Sequence, residues 1–140
     1  AFELSIINVD KPQLGKKEVF HRLRQFDEKA DVMLTNAATF VEKARMLPRA
    51  TFIIGWDTAK RLVAPRYYKN SIINMNQSLQ EIKELGCQFL VAGRYEKGAF
   101  HSLNEVRIPT EFEYMFRSIS ESQFRKDVSS TELRSAANLK

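Results

Sequence analysis

Short apolar runs rich in β-branched and aromatic residues alternate along this chain with stretches whose apolar positions recur at helical spacing. Four runs bounded by breakers read as strands: FELSIINV (residues 2–9), TFIIGW (51–56), QFLVAG (88–93) and YMFRSI (114–119), with DVMLT (31–35) a weaker fifth. Between them Val19, Leu23 and Phe26 share a helical face, as do Ala37, Phe40, Val41 and Ala44, and then Leu79, Ile82 and Leu85 before the stop signal Gly86. Parallel neighbours need a crossover, and a helix is the compact way to make one. The alternation therefore predicts an α/β domain, a Rossmann-like three-layer sandwich with a mostly parallel sheet covered on both faces. TFIIGW and QFLVAG are apolar at nearly every position, as central parallel strands are. Residues 94–109 show no periodicity and are predicted to form a loop, a candidate lid.

The 140 residues suit one domain, residues 1–140, burying roughly 68% of the unfolded chain's surface. No internal repeat or low-complexity tract breaks it. A net charge of +5 and a pI near 9.4 come from scattered Lys and Arg without a dense basic run. That balance suits phosphate-bearing ligands or a plain solvated surface, and predicts neither nucleic acid nor membrane as partner. Cys87, the sole cysteine, can form neither an internal disulfide nor a cysteine-based metal site; a reducing, cytoplasmic setting and a small buried side chain are expected. The longest clean apolar stretches, FII and FLVA, fall far short of the roughly 20 residues of a spanning helix.

In open parallel sheets ligands bind outside the carboxyl ends of the strands, so the loops NVDKP, GWDTAKR, AGRYEKG and KDVSSTELR carry the candidate chemistry. Ser129 and Glu132 have capping-box spacing, worth about 1 kcal/mol. Ser130, Thr131 and Arg134 are left over. Free N–H donors at a helix start, with hydroxyls beside them and a guanidinium one turn on, suit a phosphate, and Ser129 can cap while its neighbours bind. Gly55 permits close backbone approach, and Asp57 with Thr58 either caps a helix or accepts bonds from a sugar or base. Trp56 is a base-stacking candidate or plain packing. Lys11, held extended by Pro12, meets a phosphate or only solvent, and Arg94 clamps phosphate or makes a surface ion pair. His21 and His101 have no partners at metal spacing, so no metal ligands are assigned.

Taken together, NVDKP, FIIGWDTAKRL, FLVAGR and above all VSSTELR resemble the nucleotidylyltransferase superfamily, in its nicotinate or nicotinamide mononucleotide adenylyltransferase branch. VSSTELR is similar to the signature Ile-Ser-Ser-Thr-x-x-Arg, with Val128 in the isoleucine position, and GWDT resembles a Gly-Ala-Asp segment with Trp56 replacing alanine. The similarity runs over nearly the whole chain. It implies a domain of NAD biosynthesis that binds ATP with Mg²⁺ and transfers AMP to a nucleotide monophosphate or similar phosphorylated acceptor, releasing pyrophosphate. By that resemblance Ser129, Ser130, Thr131 and Arg134 hold ATP phosphates, Gly55, Asp57 and Thr58 line the nucleotide site, and Arg94 and Lys11 are further nucleotide-binding residues.

The family's leading Gly-rich turn and His-x-Gly-His motif have no counterpart here, since His21 and His101 are far apart and lack the Gly spacing. The chain opens on what resembles the family's second strand, so the first strand and helix are expected to be missing and no catalytic residue is assigned. A non-catalytic nucleotide-binding or regulatory domain, or an interaction module in which VSSTELR only caps a helix, stays open. Loss of a central strand would expose two sheet edges, which predicts a homo-oligomer or cover by a missing N-terminal segment of the parent protein.

Overall fold

The structure is a computed structural model and describes residues 1–10, 12–26, 29–96 and 98–124. In chain order the elements are β1 (Phe2–Ser5), α1 (Lys16–Leu23), β2 (Val32–Thr35), α2 (Phe40–Met46), β3 (Thr51–Gly55), α3 (Trp56–Leu62), α4 (Ile72–Glu84), β4 (Gln88–Ala92), β5 (Arg94–Glu96), β6 (Ala99–His101) and β7 (Phe116–Ile119). Short 3₁₀ turns cover Arg24–Phe26, Pro65–Tyr68, Leu103–Glu105 and Thr110–Met115. The fold is mixed α/β with parallel strand pairs, as the alternation predicts. No helix among the described residues is long and apolar enough to cross a membrane. The contacts divide the chain into two compact units: Ala1–Ala50 with Pro65–Cys87, and Thr51–Ala64 with the chain from Gln88 onward.

In the first unit β1 and β2 run parallel, Phe2 opposite Val32 and Ser5 opposite Thr35, with α1 in the connection between them. Glu3 links this pair to α2: it accepts from the buried Thr35 hydroxyl and pairs with Lys43 Nζ at 2.6 Å. Helix α2 starts where its side chains dictate. Thr39 Oγ1 accepts from the Glu42 N–H, and Glu42 Oε2 accepts from the Thr39 N–H at 2.8 Å, a reciprocal capping box. These bonds, the Thr39 backbone N–H first, hold the Glu42 carboxyl below its ordinary range.

Helix α4 buries Met75, Leu79 and Ile82 and ends as Gly86 predicts. Gly86 takes φ 72°, its N–H donates to the Lys83 carbonyl, and the Cys87 N–H reaches back to Ile82, a Schellman arrangement that a β-carbon would oppose. Arg45 and Glu81 make a two-bond ion pair, 2.5 and 2.8 Å, between α2 and α4. Cys87 is buried, and its thiol donates to the Leu47 carbonyl.

The second unit is built on the parallel sheet β3–β4–β7. Register pairs Phe52 with Phe89 and Phe89 with Phe116, so three rings line up across the strands at centroid distances of 5.9 and 4.9 Å. Ile54 and Val91 extend this face, and both are buried. Period-two alternation puts Thr51, Ile53, Leu90 and Arg117 on the other face. There Ile53 is 71% exposed, and β3 is an end strand of its sheet rather than the central one its apolar run predicts. A continuous apolar run reports that both faces suit burial, not that described residues cover both.

Two further expectations are corrected. Residues 94–109 hold the antiparallel hairpin β5–β6, Arg94 opposite His101, Tyr95 opposite Phe100 and Glu96 opposite Ala99, followed by the 3₁₀ turn at Leu103–Glu105. Strands of three residues are too short to show periodicity. YMFRSI becomes strand only from Phe116, because Tyr114 and Met115 end the preceding 3₁₀ turn.

Replacing Thr39 with Ala is expected to lower the unfolding free energy by about 1 kcal/mol near neutral pH. Because the Glu42 carboxyl lies lower in the folded chain than unfolded, its contribution is complete above the ordinary carboxylate pKa and disappears as pH falls through the lowered value. Urea unfolding at about pH 7 and about pH 3 measures this, and an equal penalty at both would remove the carboxylate from the cap.

Candidate functional site

The carboxyl end of the β3–β4–β7 sheet gathers the candidate residues that the structure describes. Gly55 lies opposite Ala92, and Ala92 opposite Ile119, so the chain leaves all three strands at the same level. Beyond β3 come Trp56, Asp57 and Thr58 in α3; beyond β4, Gly93 and Arg94; beyond β7, Ser120. Thus Gly55, Asp57, Thr58 and Arg94 share one end of a parallel sheet. Lys11, Ser129, Ser130, Thr131 and Arg134 lie outside the described residues.

The roles read for Gly55, Asp57 and Thr58 change in detail. Gly55 is itself the residue preceding α3, with extended backbone and no side-chain cap, so neither Asp57 nor Thr58 caps the helix. The space a Gly55 side chain would fill is taken by Asp57, whose Oδ1 stands 2.9 Å from an ideal β-carbon there. Glycine at this point makes room for the chain's own carboxylate. Asp57 lies in the first turn of α3, where a negative charge is favoured by the helix dipole. Among the described residues neither Asp57 nor Arg94 has a side-chain hydrogen bond or ion pair.

Trp56 is not an open stacking platform. It is 8% exposed; the His101 imidazole stacks on its indole at 4.4 Å with 19° between the planes, and Lys60 Nζ stands 4.3 Å from the ring centroid. The packing reading holds, and a base would have to displace a group already there. The indole N–H is buried without a hydrogen-bond partner among the described residues. Sequence reasoning missed the contact because 45 positions separate Trp56 from His101 and no spacing rule connects them.

His101 reaches Trp56 because the β5–β6 hairpin folds back against Gly93. An ideal β-carbon at Gly93 would stand 2.3 Å from Phe100 Cζ and 2.8 Å from the His101 carbonyl oxygen. His101 Nδ1–H in turn donates to Glu105 Oε2 at 2.8 Å. The one sequence signal for this fold-back was Gly93 at a strand end, where glycine marks close backbone approach.

As to a resident metal, no group of three or more His, Cys, Asp or Glu side chains among the described residues is arranged to hold one.

Gly93→Ala is expected to force Phe100 and the His101 backbone away, costing about 1–3 kcal/mol by overpacking. Urea unfolding together with the emission of Trp56 reports the loss; a variant matching the parent in both would show that Gly93 does not seat the hairpin. Comparison with known proteins supplies no independent relative: no protein-family model, curated protein or solved structure matches this chain.

Proposed function

We propose that this chain is the nucleotide-binding part of a nucleotidylyltransferase, a Rossmann-like domain that binds ATP and a nucleotide monophosphate or similar phosphorylated acceptor for AMP transfer. The observation that carries the reading is the convergence of Gly55, Asp57, Thr58 and Arg94 on the carboxyl end of one parallel sheet, the end at which open α/β sheets take ligands. Asp57 and Arg94, which have no side-chain hydrogen bond or ion pair among the described residues, are of the kinds that hold a sugar hydroxyl and a phosphate. Ser129, Ser130, Thr131 and Arg134, which follow β7 in the sequence, are the phosphate-gripping group in this reading.

Parallel pairing within β1–β2 and within β3–β4–β7 is in keeping with the same reading. The resemblance puts catalysis on a His-x-Gly-His motif, and no residue of this chain is assigned that role. In this reading Mg²⁺ arrives with the triphosphate. The chain's own task is to position phosphates and offset their charge.

Absence of the histidine motif favours one second reading, a domain that binds nucleotide without turning it over. Calorimetry with ATP and AMP decides whether nucleotide binds. Ser130→Ala with Thr131→Ala, and separately Arg134→Ala and Arg94→Ala, are each expected to weaken ATP by about tenfold or more, the worth of a charge-assisted bond. ATP heats absent from the parent, or unchanged in every variant, would sink the nucleotide reading. Pyrophosphate release with nicotinate or nicotinamide mononucleotide separates enzyme from binding domain. Sheet edges with no partner among the described residues further lead us to expect a dimer or larger assembly. Sedimentation yielding only monomer at high concentration would contradict that.

A further inference from the structure

We propose that the indole N–H of Trp56 and the ammonium of Lys60 form a subsite for an oxyanion, a phosphate group of the ligand taken at the carboxyl end of the β3–β4–β7 sheet. That the phosphate belongs to a nucleotide rests on the reading above; the subsite itself rests on the donors gathered there.

Trp56 is 8% exposed, and its Nε1 is buried with no acceptor among the described residues. Most buried side-chain polar atoms have a partner, and a buried donor without one has given up water for nothing. The aromatic system of the ring is already engaged, by the stacked His101 imidazole and by Lys60 Nζ. What the indole lacks is an oxygen at its polar edge.

The groups beside it are donors as well. Lys60, one helical turn after Trp56, is exposed, holds Nζ 4.3 Å from the ring centroid and has no hydrogen bond or ion pair among the described residues. Arg94, likewise without either, stands opposite His101 in the β5–β6 pairing, and so on the same hairpin face as the imidazole that lies on Trp56. Carboxylates beside the stack are placed otherwise: Asp57 Oδ1 lies against Gly55, and Glu105 is bonded to His101 Nδ1. A ligand group able to serve a neutral N–H and neighbouring cations together is an oxyanion.

The side chain that yields to admit it is Lys60. Turning this long, exposed chain from the indole to an arriving phosphate exchanges a cation–π contact for a charge-assisted hydrogen bond. The phosphate oxygens then accept from Nζ and from Nε1–H.

Trp56 is the only tryptophan, so a heteronuclear NMR spectrum of the labelled chain has a single indole N–H resonance, which reports on this donor without further assignment. Titration with ATP, and separately with inorganic phosphate at matched ionic strength, is expected to move that resonance downfield to saturation. Lys60→Gln should weaken the titration about tenfold, as loss of a charge-assisted bond does, with an unchanged far-UV circular dichroism spectrum. Trp56→Phe keeps a ring without the N–H and should weaken binding similarly by calorimetry; if it unfolds, the parent's resonance and Lys60→Gln carry the test. An indole resonance that neither probe moves, or a Lys60→Gln chain that titrates as the parent does, would overturn the subsite. ATP heats with an unmoved resonance remove the subsite and leave the nucleotide reading, whereas a shift with phosphate and no ATP heat does the reverse.

Discussion

The aromatic row Phe52–Phe89–Phe116 is the contact on which the arrangement of the candidate site depends. Each ring sits on a different strand, and their stacking holds β3, β4 and β7 in one parallel register with one face buried. In a sheet with one covered face a slip by a single residue would turn Phe89 and Val91 out and Leu90 in, exchanging the whole apolar set for its neighbours. That constraint does more than stabilise. It brings the ends of the three strands to a common level, and so delivers Gly55, Trp56, Asp57, Thr58, Gly93 and Arg94 to one place although nearly forty positions separate the first from the last.

Two glycines then turn the chain from that frame in different ways. Gly86 ends α4 as a left-handed residue whose N–H, with that of Cys87, satisfies carbonyls of the helix's last turn. Gly93 has a different job. With no side chain it admits Phe100 and the backbone of His101, and this close approach folds the hairpin over the sheet end and covers Trp56. A pattern of apolar positions carries information about such a glycine only as a break. What fills the gap is decided by a segment further along the chain.

Much of the fold was legible in the residues, and where it was not, the cause is identifiable. β1 to β4 and the three amphipathic helices α1, α2 and α4 follow from β-branched runs and apolar spacing. α3 was harder. Its seven residues follow β3 without a loop, and Gly55 enters it with no capping side chain, so TFIIGW ran on to a tryptophan that is already helical. The capping box Thr39–Glu42 is written in the sequence as plainly as the spacing Ser129–Glu132. The candidate roles of Asp57 and Thr58 as caps failed for the same local reason: Gly55 is the residue at the boundary.

By itself the sequence determined element types, the stop at Gly86, the burial of Cys87 and the loops that follow the parallel strands. These are local consequences of periodicity, backbone freedom and hydropathy, and each is written within about a dozen residues. Tertiary structure alone decided that Asp57 occupies the space beside Gly55, that Ile53 faces outward, and that His101 lies on Trp56 with Glu105 behind it. Those facts depend on which strands pair and where a distant hairpin comes to rest. Such choices are made by the summed burial of a whole unit, and no single segment records them.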